Sequence, residues 1–242
     1  MNDAEKSSDT RLYDEGWPEW LDMKTFGPAS RWLRFLIRRT VVRVDRRQIQ
    51  RILDFGCGEG GTAVFWADHF YPATVTATDI SQTAVAAARK RHRRPNLDFV
   101  HDPSNRTLTR SFDLISCLEV LEHVTDWQGL LAALADAAKA YLLLSFPVGR
   151  MRRFETSMGH RRNFQHGEIE DFLKMRGFDG LDVRYAGFPF YSPLYRDLCN
   201  WLRVPERAFT RGTYGRSQKI ASAVCYACFR YFSTRRRGGD QF

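Results

Sequence analysis

A glycine-rich turn between a short apolar run and a helical pattern constrains the fold of this chain more than any other feature. The run Arg51–Phe55 predicts a buried strand, and residues 54–61 read Asp-Phe-Gly-Cys-Gly-Glu-Gly-Gly before a helix predicted over Gly60–His69. Glycine lets the backbone pass close to a ligand, and the first N–H groups of a helix attract negative charge. A second predicted strand leads to Asp79, 19 residues after Gly60, where an acid can accept both ribose hydroxyls of a nucleotide-like ligand.

The rest of the chain alternates short apolar runs with longer helical patterns. Further strands are predicted at Thr74–Thr78, Leu97–Val100, Phe112–Cys117, Tyr141–Phe146 and Leu181–Tyr185, and further helices at Ser81–Arg91, Trp127–Lys139 and His166–Arg176. Strands separated by helices of this length predict βαβ units. The predicted fold class is α/β: a doubly wound, mainly parallel Rossmann-like sheet with N-terminal and C-terminal helical additions.

Length and composition fit one globular domain of catalytic size. The 242 residues are 43% apolar and 27% charged, which excludes a disordered acidic chain. We expect three parts: residues 1–47 as an N-terminal arm with a basic amphipathic helix over most of the Arg31–Gln50 segment, residues 48–187 as the ligand-binding domain, and residues 188–242 as an aromatic, basic helical extension of that domain. The five cysteines are too few and too scattered for a disulfide framework, which suits a reducing compartment.

The charge balance predicts an anionic partner. The chain has 37 Lys and Arg against 28 Asp and Glu, a formal net charge of +9, and positive surfaces attract phosphates, carboxylates or acidic lipid. No apolar leader opens the sequence and no run is long enough to cross a bilayer, so we expect a cytoplasmic location with peripheral contact at the inner membrane face. Nucleic acid is the less favoured partner, since the aromatic residues lie in apolar helical patterns rather than in an RNA-binding module.

Asp54 distinguishes between two classes of cofactor. The pattern Gly56-x-Gly58-x-x-Gly61 also satisfies the dinucleotide fingerprint. A carboxylate two residues before the first glycine would repel a pyrophosphate, whereas it can hold the ammonium end of an amino-acid cofactor. The loop therefore favours S-adenosylmethionine over NAD.

Four segments resemble the class I S-adenosylmethionine-dependent methyltransferases, types 11 and 23 in particular: ILDFGCGEGG (52–61), ATDIS (77–81), FVHDPSN (99–105) and SFDLISCLEVLEHV (111–124). They occur in the family's order over about residues 48–187. The resemblance implies a methyltransferase with S-adenosylmethionine as its cofactor. It also implies that the glycine loop surrounds the methionine part, that Asp79 binds the ribose diol, that Ile80 packs on the adenine and that Asp102 approaches its exocyclic amine. The cofactor-binding residues implied in this way are Asp54, Gly56, Cys57, Gly58, Gly60, Asp79, Ile80, Asp102 and Leu118.

The segment after the fourth strand offers a second kind of chemistry. If it is helical, Glu119, Glu122 and His123 share one face. This segment resembles the ubiquinone-biosynthesis O-methyltransferases in CLEVLEHV, and the small-RNA 3′-terminal 2′-O-methyltransferases use a similar Glu-x-x-Glu-His with a later histidine, here His160, to bind a metal. Three roles stay open: Mg²⁺ or another divalent cation bound by Glu119, Glu122, His123 and His160, a metal-free catalytic base at His123 or His160, or structural packing.

The two histidines favour an oxygen acceptor, because a hydroxyl must lose its proton as it attacks the methyl group. The leading hypothesis is therefore O-methylation of a small-molecule or lipid-linked acceptor. Two alternatives are an RNA 2′-O-methyltransferase with the Glu-x-x-Glu-His metal site and a non-catalytic cofactor-binding protein.

Overall fold

The computed structural model of the protein describes residues 14, 20, 22–201, 212–235 and 239, which pack into two compact units. The first unit is formed from the described residues of Met1–Trp17 and Val44–Ser145, and the second from those of Pro18–Arg43 and Phe146–Phe242. Most of the predicted N-terminal arm and residues 202–211 of the predicted C-terminal extension lie outside the described residues. The three-part division at residues 47 and 187 stays a prediction.

The first unit contains a parallel sheet with a helix after each of strands 1, 2 and 4. In chain order its strands and α-helices are β1 (Arg51–Phe55), α2 (Gly61–His69), β2 (Thr74–Asp79), α3 (Gln82–Arg91), β3 (Leu97–His101), β4 (Phe112–Leu118), α4 (Trp127–Ala137) and β5 (Ala138–Ser145). The first helix in chain order, α1 (Pro28–Thr40), lies in the second unit. The strand order is β3-β2-β1-β4-β5 and every pairing is parallel. The predicted Rossmann-like fold is confirmed, and its five predicted core strands agree with the structure to within a few residues.

The chain order reverses between β1 and β4, so ligands of such a sheet bind outside the carboxyl ends of these strands. Ile52, Leu53 and Ile115 on them are fully buried, as expected for a parallel sheet covered on both faces. Ser81 caps α3, because its hydroxyl accepts a hydrogen bond from Ala84 N at 3.1 Å. Helix caps of this kind determine where the chain turns from strand to helix at the carboxyl edge of the sheet, where the acidic residues lie.

The second unit contains the α-helices α1 (Pro28–Thr40), α5 (Arg153–Ser157), α6 (Glu168–Lys174), α7 (Arg196–Trp201) and α8 (Arg216–Phe232). It also contains a π-helix over Phe190–Tyr195 and helical residues at 22–26. Its core includes Trp32 and Leu36 of α1 with Tyr191 and Phe229. None of the described helices is both long and apolar enough to cross a membrane.

Two predictions of secondary structure were wrong. The segment Leu181–Tyr185 forms no strand; Arg184 Nε instead donates to Asp182 Oδ2 at 3.1 Å, and Tyr185 O accepts from Gly239 N at 2.9 Å. The helix predicted over most of Arg31–Gln50 ends at Thr40, halfway along that segment, and is followed by two short 3₁₀ turns. Asp45 begins the second of these turns by accepting a hydrogen bond from Arg47 N, a local side-chain bond that competes with regular helix.

Candidate functional site

The glycine loop turns tightly at the carboxyl end of β1. Gly56 and Cys57 donate their backbone N–H groups to Thr78 O at 2.8 and 2.9 Å, so the loop is tied to the end of β2. Gly60 has φ +86°, and a Cβ there would lie 2.7 Å from the Phe99 ring. Only glycine fits both the conformation and the space. Gly60 therefore lets the start of α2 pack closely against Phe99 of β3.

Asp54 is the buried acid beneath this loop. It is 2% exposed, and its Oδ1 accepts a hydrogen bond from Ser116 Oγ at 2.6 Å. Asp54 and Ser116 are register partners on β1 and β4, which explains a contact between residues 62 positions apart. Burial raises the pKa of Asp54 to about 6, and the charge of Asp79 adds to the effect.

Asp79 connects the ends of the first two strands. Its Oδ2 accepts from Gly58 N at 2.8 Å and its Oδ1 from Ser81 N at 2.9 Å. The neighbouring Ile80 is half-buried, and its carbonyl lies 3.1 Å from His101 Nε2. The carboxylate predicted to bind ribose thus also holds the glycine loop in shape.

Asp102 lies beyond β3 and is likewise joined to Asp79, since its N–H donates to Asp79 O at 3.0 Å. Its side chain accepts from Arg106 N at 2.9 Å and Thr107 N at 2.7 Å. Burial alone would raise the pKa of Asp102, yet the hydrogen bonds led by those of Thr107 hold it below its ordinary value. Asp102 is therefore a stable anion at the edge of the sheet.

No sequence motif predicts the further acid that lies at this edge. Asp14 accepts hydrogen bonds from Ser81 Oγ and from Thr83 N, the latter at 3.1 Å. It lies 67 residues from Ser81 in the chain and within no recognisable motif. By contrast, Ser116 follows from strand pairing, because it is the register partner of Asp54.

The Glu-x-x-Glu-His segment is not an α-helix. The ladder of β4 reaches Glu119, whose N–H donates to Ser145 O at 2.8 Å, and Glu119 then adopts a left-handed φ of +56°. Leu121–His123 form a single 3₁₀ turn. The condition for a helical face shared by Glu119, Glu122 and His123 is therefore not met, because the chain turns where the strand ends.

The side chains of this segment nonetheless remain close to the carboxyl end of β4, where Leu118 is its last residue. Glu119 accepts a hydrogen bond from the Ser145 hydroxyl. Glu122 is fully buried, and its Oε1 lies 3.8 Å from His123 Nε2. The first unit thus places a buried carboxylate next to a half-buried imidazole, an arrangement suited to holding a proton or a cation.

His160 belongs to the second unit. Its backbone N–H donates to Glu155 O at 3.0 Å. Burial lowers the pKa of its imidazole to about 4, the charge of Arg196 acts in the same direction, and a hydrogen bond from the imidazole to Asn163 opposes them. At neutral pH this imidazole is uncharged, the form that binds metals.

Comparison with known proteins identifies the sheet region. Residues 53–140 match the family described as "Methyltransferase domain". The chain is 34% identical over 109 residues to a phthiotriol/phenolphthiotriol dimycocerosates methyltransferase of Mycobacterium tuberculosis, covering 44% of this chain and 40% of that protein. It is 32% identical over 88 residues to a fatty-acid O-methyltransferase of Mycolicibacterium smegmatis, covering 36% of this chain and 32% of that protein. The chain spans less than half the length of these curated relatives.

Solved structures show the same architecture. Magnesium protoporphyrin IX methyltransferase from Synechocystis PCC 6803 with bound SAH superposes with a TM-score of 0.58 at 20% identity, covering 76% of this chain and 92% of that one. A StiE O-MT structure superposes with a TM-score of 0.50 at 15% identity, covering 92% of this chain and 83% of that one. At such identities the likeness concerns the fold. Together with the matched family and the glycine loop, it supports a class I S-adenosylmethionine-dependent methyltransferase domain in the first unit.

Proposed function

We propose that this protein transfers a methyl group from S-adenosylmethionine to an oxygen atom of a lipid-linked acceptor. The observation that carries the proposal is Asp54, a buried carboxylate with its pKa raised to about 6 directly beneath the glycine loop. Within the described residues no lysine or arginine pairs with it. A ligand with an ammonium group would stabilise its ionised form, whereas a pyrophosphate would not.

The residues at the sheet edge fit S-adenosylmethionine. Gly60 lets the glycine loop pack closely against Phe99, and Asp54 and Asp79 would supply acceptors for an ammonium and a ribose diol. Asp102 keeps its charge for the adenine amine. When bound, this cofactor supplies a methyl group on a positively charged sulfur. The chain's own residues would align the two reactants, which contributes about 7–11 kcal/mol to such displacements.

An oxygen acceptor needs a group that takes its proton. His123 suits this role, because its imidazole lies next to the buried carboxylate of Glu122. His160 suits it less well, since a base with a pKa of about 4 draws protons weakly at neutral pH. A divalent cation at Glu119, Glu122, His123 and His160 is the alternative way to activate the hydroxyl, and the neutral imidazole of His160 fits a ligand role.

The relatives support the choice of acceptor. Two of the names quoted above, phthiotriol/phenolphthiotriol dimycocerosates methyltransferase and fatty-acid O-methyltransferase, refer to lipid-like substrates, and the second specifies oxygen. We extend this to a lipid-linked acceptor for this chain, together with peripheral contact at the inner membrane face.

The test is turnover with methyl-labelled cofactor on separated lipid, aqueous and RNA fractions of a cell extract, followed by mass identification of the labelled product. We expect label in the lipid fraction, as an acid-stable ether or an ester. His123→Gln should reduce turnover about 100-fold, in line with the loss of a general base. The matched control is Asp68→Asn, because Asp68 is a half-exposed acid of the same unit that pairs with Arg94, and it should leave turnover unchanged.

Three results would contradict the proposal in different ways. Label confined to RNA would identify a different acceptor, and cofactor binding without any labelled product would indicate a non-catalytic protein. Loss of turnover with chelator and rescue by Mg²⁺ would assign activation of the hydroxyl to a cation instead of His123.

A further inference from the structure

Helix α8 exposes apolar side chains on the face opposite the one that it buries. Phe229 is 2% exposed, whereas Ile220, Val224 and Tyr231 are 66%, 58% and 66% exposed. At about 100° per residue, positions 220, 224 and 231 lie within about 40° of one another around the helix axis, and position 229 lies on the other side. We call Ile220, Val224 and Tyr231 the outer stripe. An amphipathic helix of a folded unit needs one apolar face, and the outer stripe is a second one.

The inner face of α8 packs into the hydrophobic core of the second unit. The Phe229 ring lies 6.5 Å from Trp32 of α1, 5.4 Å from Tyr191 and 5.1 Å from Tyr195, measured between ring centroids. These rings belong to the core of the unit. The outer stripe therefore adds nothing to this core, and three large apolar side chains on one exposed face indicate an interaction surface.

The charges of the two helices that meet in this core have a single sign. Within their described bounds, α1 and α8 contain no aspartate or glutamate, and they carry Arg31, Arg34, Arg38, Arg39, Arg216, Lys219 and Arg230. The Arg230 guanidinium lies 5.5 Å from the centre of the Tyr231 ring and 5.3 Å from that of Phe35. A cation thus lies at the end of the outer stripe, next to an aromatic ring, as in side chains that reach from apolar surface to polar surroundings.

We propose that the outer stripe of α8 inserts into the headgroup region of an anionic lipid bilayer, and that the cations of the same helix, Arg216, Lys219 and Arg230, bind the lipid phosphates. Charge complementarity favours a bilayer over a protein partner, because a surface of one sign with an exposed tyrosine matches the composition of membrane-surface helices. Each cation near such a surface contributes about fivefold to the affinity at low salt. The inference deepens the proposed function by naming the surface from which a lipid-linked acceptor would be reached.

The experiment is sedimentation of the full chain with lipid vesicles, without cofactor or acceptor. We expect binding to phosphatidylcholine vesicles that contain about one third phosphatidylglycerol, and at least tenfold weaker binding to phosphatidylcholine alone. The double variant Ile220→Glu with Val224→Glu should weaken binding to the anionic vesicles about tenfold or more, since it removes the apolar contact and adds negative charge. The control is Met175→Glu, at a side chain of the same unit that is 81% exposed, and it should bind like the wild type.

A second variant, Arg230→Gln, tests the electrostatic part. It should weaken binding about fivefold at low salt, and the difference should disappear at high salt. Calorimetry with S-adenosylmethionine and circular dichroism would show that each variant is folded. Their exposed positions predict that they are.

The inference is overturned if the wild type does not sediment with anionic vesicles, or if the double variant binds as well as Met175→Glu. It is also overturned if the protein is a dimer that the double variant dissociates, because the stripe would then contact a second copy. Methyl transfer to an acceptor in detergent is measured separately. Loss of vesicle binding with intact turnover would therefore contradict only this inference, and vesicle binding without turnover only the proposed function.

Discussion

The two units stabilise their buried charges in opposite ways. In the first unit Asp54 is 2% exposed, accepts a hydrogen bond from Ser116, and has its pKa raised to about 6 by burial. In the second unit Glu155 is 3% exposed but forms an ion pair with Arg196 and accepts a hydrogen bond from Arg152 N at 2.7 Å. A buried carboxylate that faces a guanidinium is part of the fold. One that lacks a cation is completed by a ligand that brings positive charge.

The largest effect is expected when the buried ion pair of the second unit is removed. Arg196→Met would leave Glu155 buried without its guanidinium, which costs about 3–5 kcal/mol in the free energy of unfolding. Urea denaturation measures the loss. The matched control is Arg150→Met, since Arg150 is 71% exposed and pairs with Asp197 at the surface, and surface pairs contribute about 0–1 kcal/mol. Equal losses in the two variants would show that the buried pair is not what stabilises this unit.

The next effect concerns the acid that both shapes the loop and is expected to bind ribose. Asp79→Ala removes the acceptor for Gly58 N and Ser81 N as well as the proposed acceptor for the diol. We expect the affinity for S-adenosylmethionine to fall about 100-fold, or about 3 kcal/mol, as measured by calorimetry. Asp79→Asn keeps one acceptor oxygen and should give an intermediate loss. Unchanged affinity in the alanine variant would refute the assignment of the ribose contact.

Asp54→Asn sharpens the comparison, because it should change stability and binding in opposite directions. The pKa of Asp54 is about 6 in the folded protein and about 3.9 in an unfolded chain. Ionisation therefore disfavours the fold, and stability is lost as the pH rises from about 4 to about 6. The asparagine variant does not titrate, so it should be more stable than the wild type at pH 7.5, by about 3 kcal/mol, and similar at pH 4.

The same variant should bind S-adenosylmethionine about tenfold more weakly, as expected for the loss of a charged hydrogen-bond partner. Urea unfolding at the two pH values and calorimetry at pH 7.5 measure the two effects. A variant that is destabilised equally at both pH values would indicate that Asp54 is structural, like Glu155.

The smallest effect concerns the hydroxyl that shares the Asp54 site. Ser116→Ala removes a hydrogen bond of 2.6 Å to the carboxylate, which is worth about 1 kcal/mol. Because that bond favours the ionised form, the pKa of Asp54 should rise further. The pH at which cofactor affinity reaches half its maximum should move upward by less than about one unit. An unchanged midpoint would show that burial alone sets the pKa of Asp54.

Features governed by short stretches of sequence were predictable. The glycine loop, Asp79 at the end of β2 and Ser81 before α3 each follow from residue types a few positions apart, because turns and caps are local structures. The five core strands were predicted for the same reason. Their ends extended by up to three residues where hydrogen bonding to a neighbour continued, as at Ala138 before the predicted start at Tyr141.

Features that depend on distant partners were not predictable. Asp14 hydrogen-bonds to Ser81, which lies 67 residues away along the chain, and no local sequence pattern predicts such a contact. The segment Leu181–Tyr185 has the alternation of a strand. Its hydrogen bonds nevertheless include one within the segment, from Arg184 to the Asp182 side chain, and one from the distant Gly239 N to Tyr185 O. The Glu119 segment is not helical, because the pairing of β4 with β5 extends to Ser145 O. Glu119 therefore continues the strand instead of starting a helix.

The left-handed backbone of Glu119, with φ +56°, affects how this protein can be altered. A side chain other than glycine in that conformation costs about 1 kcal/mol. A selection for thermal stability would therefore be expected to recover glycine at position 119, and with it lose the carboxylate that accepts the Ser145 hydroxyl. Under the alternative cation site proposed above, a selection for turnover would keep the acid. The residue recovered at this one position would reveal which of the two properties had been under pressure.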